Sequence, residues 1–72
     1  MLGNSLTSKQ IVAFKIGARA RKFAVEGCAI EGYDYLYGCI ADAQVRDPDL
    51  HTLLQTELTK FEQRVAELDD QI

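Results

Sequence analysis

Tryptophan is absent from this 72-residue chain, proline and histidine occur once each, and cysteine occurs twice. With His51 alone there is no paired Cys/His spacing for a structural zinc site, and a lone helical histidine is more often a packing or surface residue than a base. Cys28 and Cys39 allow one intramolecular bridge at most. On a single helix they would lie on nearly the same face but about 16 Å apart along the axis. That is too far to bond, so they read as free thiols in a reducing, cytoplasmic compartment, with an intersubunit disulfide as the alternative. No run approaches the roughly 20 apolar residues that cross a bilayer, so no membrane partner is expected. No stretch alternates cleanly between turn clusters, which removes the signal for strands. Acids are missing from residues 1–25, where Lys9, Lys15, Arg19, Arg21 and Lys22 are the charged groups. That bias resembles an organelle transit peptide, but cleavage would leave about 45 residues, close to the lower limit for a self-sufficient fold.

What remains is 47% hydrophobic and 26% charged with a formal net charge of -3, the composition of one small domain over residues 1–72. A chain this short buries only about 60% of the surface its unfolded form exposes. With no disulfide network or zinc to staple it, self-association becomes the first question.

Local signals are helical throughout. Thr7-Ser8-Lys9-Gln10 matches a capping box, which starts a helix near residue 8. Asp47-Pro48-Asp49 supplies a cap, a proline suited to the first helical position and an acid next to the positive end of the dipole. After Pro48, Leu54, Leu58, Phe61, Val65, Leu68 and Ile72 recur at gaps of three or four, predicting a second helix over about 48–71. In the first half, Ala13, Ile16, Ala20, Phe23 and Gly27 form one stripe that resumes as Ile30, Tyr33, Tyr37 and Ile40. Gly27 and Gly32 weaken that helix, yet Cys28, Ala29, Ile30 and Glu31 offer no residue that caps a new one. The favoured reading is one long helix over about 8–46, bent near Gly27 to Gly32, with three helices as the alternative.

The expected fold is therefore all-α: an antiparallel helical hairpin with core Ile16, Ala20, Phe23, Tyr33, Ile40, Leu54, Leu58, Phe61, Val65 and Leu68. A shorter second helix would leave the arm from Ile11 to Phe23 uncovered, so two hairpins are expected to pair as a four-helix bundle dimer. Ile16, Ala20, Phe23, Leu58, Phe61 and Val65 are the expected oligomer interface. The acidic end at Glu67, Asp69 and Asp70 would return beside Arg19, Arg21 and Lys22, of the same chain or of its partner.

For function, no phosphate-cradling glycine loop and no nucleophile-base pair is legible, so neither an enzyme nor a cofactor is expected. Paired hairpins bearing carboxylates resemble ferritin-like proteins over about residues 31–68, and a degenerate metal protein is one alternative. Those sites need Glu-x-x-His, whereas Glu57 is followed by Lys60, Glu62 by Val65 and Glu67 by Asp70. The segment from Ala43 to Pro48 resembles the end of a tetratricopeptide repeat, without a second copy of the period. The preferred reading is a small non-catalytic helical interaction module, an adaptor, assembly factor or inhibitor, that self-associates and binds a protein with an acidic surface. Lys15, Arg19, Arg21 and Lys22, with Tyr35, are the expected partner-binding residues. A nucleic-acid-binding regulator using the same basic helix is the other alternative.

Overall fold

Thr7 opens the first helix with both halves of a capping box: its Oγ1 accepts from the Gln10 backbone N–H at 3.1 Å, and Gln10 Oε1 accepts from the Thr7 N–H at 2.8 Å. The computed structural model describes residues 7–70, which form α1 (Ser8–Val25), α2 (Ala29–Arg46) and α3 (Pro48–Asp69), with no strand among the described residues. At the second junction Asp47 caps α3, its carboxylate accepting from the Leu50 N–H at 3.3 Å, and Pro48 occupies the first turn. The start of the C-terminal helix is the one expected; Ile72 lies outside the described residues.

The long first helix is not formed. Gly27 adopts φ 86°, a left-handed conformation that closes α1. The Cys28 N–H donates to the Phe23 carbonyl at 2.8 Å and the Gly27 N–H to Ala24 at 3.1 Å, the paired bonds of a Schellman motif. α2 then begins with no side-chain cap on Cys28. The missing N-cap was a poor guide, because the break is made from the preceding helix's C-terminus.

This break reorganises the packing. Lys9 Nζ lies 3.0 Å from Asp47, and Arg21 Nη1 lies 3.0 Å from Glu57, so α1 runs parallel to α3. α2 returns antiparallel between those ends, and each helix contacts both others. A two-helix hairpin is therefore replaced by a three-helix fold, in which α1 is covered by its own chain rather than left as an arm. Leu36, Leu54 and Phe61 are the largest fully buried side chains, joined by Ile40, Ala43, Ala13, Ala20 and Ala24. Tyr33 meets Phe61 edge to face at 4.6 Å and stacks on Tyr37 at 5.8 Å.

α1 meets its neighbours through small residues: Ala13, Gly17, Ala20 and Ala24 are its buried positions. Gly17 and Gly32 are close approaches, since a methyl group at position 17 would overlap the Glu57 carboxylate and one at 32 would press on the Phe61 ring and the Ala20 carbonyl. No helix of the described residues is long and apolar enough to cross a membrane.

Candidate interaction surface

Because its interior stripe is made of alanine and glycine, α1 carries its larger apolar side chains elsewhere. Ile16 and Phe23 lean against α2 and are half-buried, whereas Ile11, Val12, Phe14 and Val25 are 41–56% exposed. A surface helix normally places its large apolar residues inward and its polar ones outward. α1 does the opposite over much of its length, so the outward face combines hydrophobic side chains with bases.

The basic residues divide into two groups. Lys9 is tied to Asp47 at 3.0 Å and Asp49 at 3.4 Å. Those hydrogen bonds push the Lys9 ammonium above its ordinary value, and the Lys9 bond holds the Asp47 carboxyl below its own. Arg21 turns toward α3, pairing with Glu57 and passing 5.8 Å over the Phe14 ring. It does not join the outward basic face expected of it. Lys15, Arg19 and Lys22 do share that face, at gaps of four and three, and none makes an ion pair among the described residues.

Tyr35 reaches the same place from α2. Arg19 lies 5.6 Å over its ring, and Phe23 packs beside it at 6.2 Å. Val12, Lys15, Ile16, Arg19, Lys22 and Tyr35 line an open groove of about 460 Å³ between α1 and α2. Burial pushes the Tyr35 phenol up, and it pushes the neighbouring Cys39 thiol up as well, which keeps that sulfur protonated and slow to react. Four of the five expected partner residues are thus brought together.

The expected oligomer interface is distributed differently. Ala20 and Phe61 are fully buried inside one chain, so they are closed to a second copy, while Ile16, Phe23, Leu58 and Val65 remain half-buried. Glu67, which was expected near Arg19, Arg21 and Lys22, instead accepts from Arg64 at 3.4 Å. Since α3 runs parallel to α1, its acidic end sits near Ala24 and Gly27, beyond the basic cluster.

Glu57 is a residue that the sequence reading missed, weighed there only as a carboxylate with no histidine three positions on. It is 5% exposed, with Arg21 on one carboxylate oxygen at 3.0 Å and Lys60 on the other at 3.1 Å. Its spacing from Leu54 and Phe61 puts it on their line, and Gly17 opposite leaves room for the carboxylate. His51 lies 3.3 Å from Gln55, one turn along α3. Among the described residues no group of three or more His, Cys, Asp or Glu is placed to hold a metal ion. No protein-family model matches the chain, and no curated protein or solved structure matches it.

Proposed function

We propose that this chain is a non-catalytic helical interaction module that self-associates and presents the outward face of α1 to a protein with an acidic surface. The observation that carries the reading is the inversion of α1: alanines and glycine inside, Ile11, Val12, Phe14 and Val25 outside. Exposed apolar side chains rimmed by Lys15, Arg19 and Lys22 suit an amphipathic partner whose polar residues are acids. Self-association belongs to the same reading, since one copy also leaves Ile30, Tyr37 and Val45 at 78%, 50% and 86% exposure. A nucleic acid fits less well, because the engagement of Lys9 and Arg21 inside the chain leaves three of the five α1 bases for phosphates. A ferritin-like metal role would require inward carboxylates, and Glu57, the one buried carboxylate among the described residues, is neutralised by two bases.

The test is nuclease-treated affinity capture with wild type and Arg19→Glu/Lys22→Glu as baits, followed by binding assays on the purified captured protein. The reading expects binding that weakens as salt rises and is lost with the double variant. Equal binding by both baits would overturn the assignment of this face.

A further inference from the structure

The groove between α1 and α2 is bordered by opposite charges that do not meet within one chain. On α1 the border is Lys15, Arg19 and Lys22. On α2, Glu31, Tyr35 and Asp42 recur at gaps of four and seven, which puts all three on one side of that helix. The Arg19 and Tyr35 contact fixes the register between these antiparallel helices. From it, Lys22 stands within one turn of the level of Glu31, and Lys15 within one turn of Asp42. Each base on α1 therefore has an acid or a tyrosine within one turn of its own height on α2. Yet among the described residues neither Lys15 nor Lys22 pairs with those acids, and the ion pair that Asp42 makes there is with Arg46 on its own helix, at 3.1 Å.

We propose that this α1/α2 face, opposite α3, is a two-fold homodimer interface in which Lys15, Arg19 and Lys22 of one copy meet Asp42, Tyr35 and Glu31 of the other. The inference rests on the reading of the chain as a self-associating module and names the surface it uses; because the same bases face the acidic partner, the two associations exclude each other, and that partner meets the dissociated chain. A two-fold axis parallel to the helices lays α1 over α2 of the second copy and keeps every residue at its own height. The complementary levels then face each other across the interface, twice over, with Val12 and Tyr35 closing the apolar groove between them. A two-fold axis perpendicular to the helices would lay α1 on α1 and bring six bases together, so charge selects the first arrangement. The result is a four-helix layer of α1 and α2 pairs with the α3 helices outside.

Sedimentation equilibrium across a concentration series tests this with wild type, Lys15→Glu, Asp42→Lys and the double variant. Both side chains are solvent-exposed, and far-UV circular dichroism checks that each variant stays folded. Each single reversal is expected to weaken dimerisation at least about tenfold, and the double variant to recover most of it. A wild type that stays monomeric overturns the dimer; the acidic-partner reading survives that outcome if capture still depends on Arg19 and Lys22. Dimers indifferent to both single reversals, or not recovered in the double variant, overturn this face while leaving self-association in place.

Discussion

Gly27→Ala is a substitution whose sign, not merely its size, depends on how the first half of the chain is built. Gly27 has φ 86°, and a methyl group placed on it meets nothing within 4 Å, so its effect is purely conformational. A non-glycine residue in the left-handed region costs about 1–2 kcal/mol. Restricting the unfolded chain returns about 0.4–1 kcal/mol, which leaves a net loss near 1 kcal/mol. Were residues 8–46 one continuous helix, the same change would stabilise by about 1 kcal/mol, because alanine is the better helix former. Gly38→Ala is the internal control: Gly38 is exposed in α2 with open space around it, and it should stabilise by up to about 1 kcal/mol. Thermal unfolding followed by circular dichroism reads the difference, since 1 kcal/mol moves the midpoint of a domain this size by about 4–8 °C. A Gly27→Ala protein that melts at or above wild type would refute the three-helix account.

Other substitutions probe the buried charge and the close contacts. Arg21→Ala leaves the Glu57 carboxylate with Lys60 alone; because Arg21 keeps 23% exposure, the loss should be about 1–3 kcal/mol rather than that of a fully buried pair, measured by urea titration. Gly32→Val drives a side chain into the Phe61 ring and the Ala20 carbonyl, and should cost about 1–3 kcal/mol by the same titration. The Lys9 and Asp47 pair gives a pH window. Asp47 titrates below its ordinary 3.8 in the folded chain, so its contribution is present above that value and disappears as pH falls through the lowered one. Lys9 titrates above its ordinary 10.5, so its contribution is complete below that value and fades as pH rises through the raised one. Lys9→Met should flatten both limbs of the stability profile measured by urea unfolding against pH.

The helix ends written in side-chain chemistry were legible: the Thr7 and Gln10 box and the Asp47-Pro48 start both stand where the residues place them. The α1 terminus was not, because its signal is a glycine whose torsion distinguishes a cap from an interior position, and residue identity carries no torsion. That one ambiguity propagated. With the chain unbroken at Gly27, α1 and α3 could not run parallel, so Glu57 had no reason to face Gly17. Lys15, Arg19 and Lys22 share one face at gaps of four and three, while Arg21, one position away from it, turns inward to a carboxylate whose burial the pattern missed. Leu36 and Ala43 show the same limit: absent from the expected core, they are fully interior, since a helix touching two others buries a wider arc than a hairpin requires.

The claim at the centre of this account is that α1 turns its large apolar side chains toward a partner and its small ones toward its own core. Urea unfolding of Val12→Gln/Phe14→Gln beside wild type, each over a range of protein concentrations, measures that most directly. At the lowest concentration the variant should lie within about 1 kcal/mol of wild type, as half-exposed positions do. Raising the concentration should lift the wild-type midpoint and leave that of the variant nearly unchanged, because only wild type gains from association. A loss of about 3–5 kcal/mol in the dilute variant, the size expected for truncating a core aromatic such as Phe61, with no concentration dependence in either protein, would contradict it.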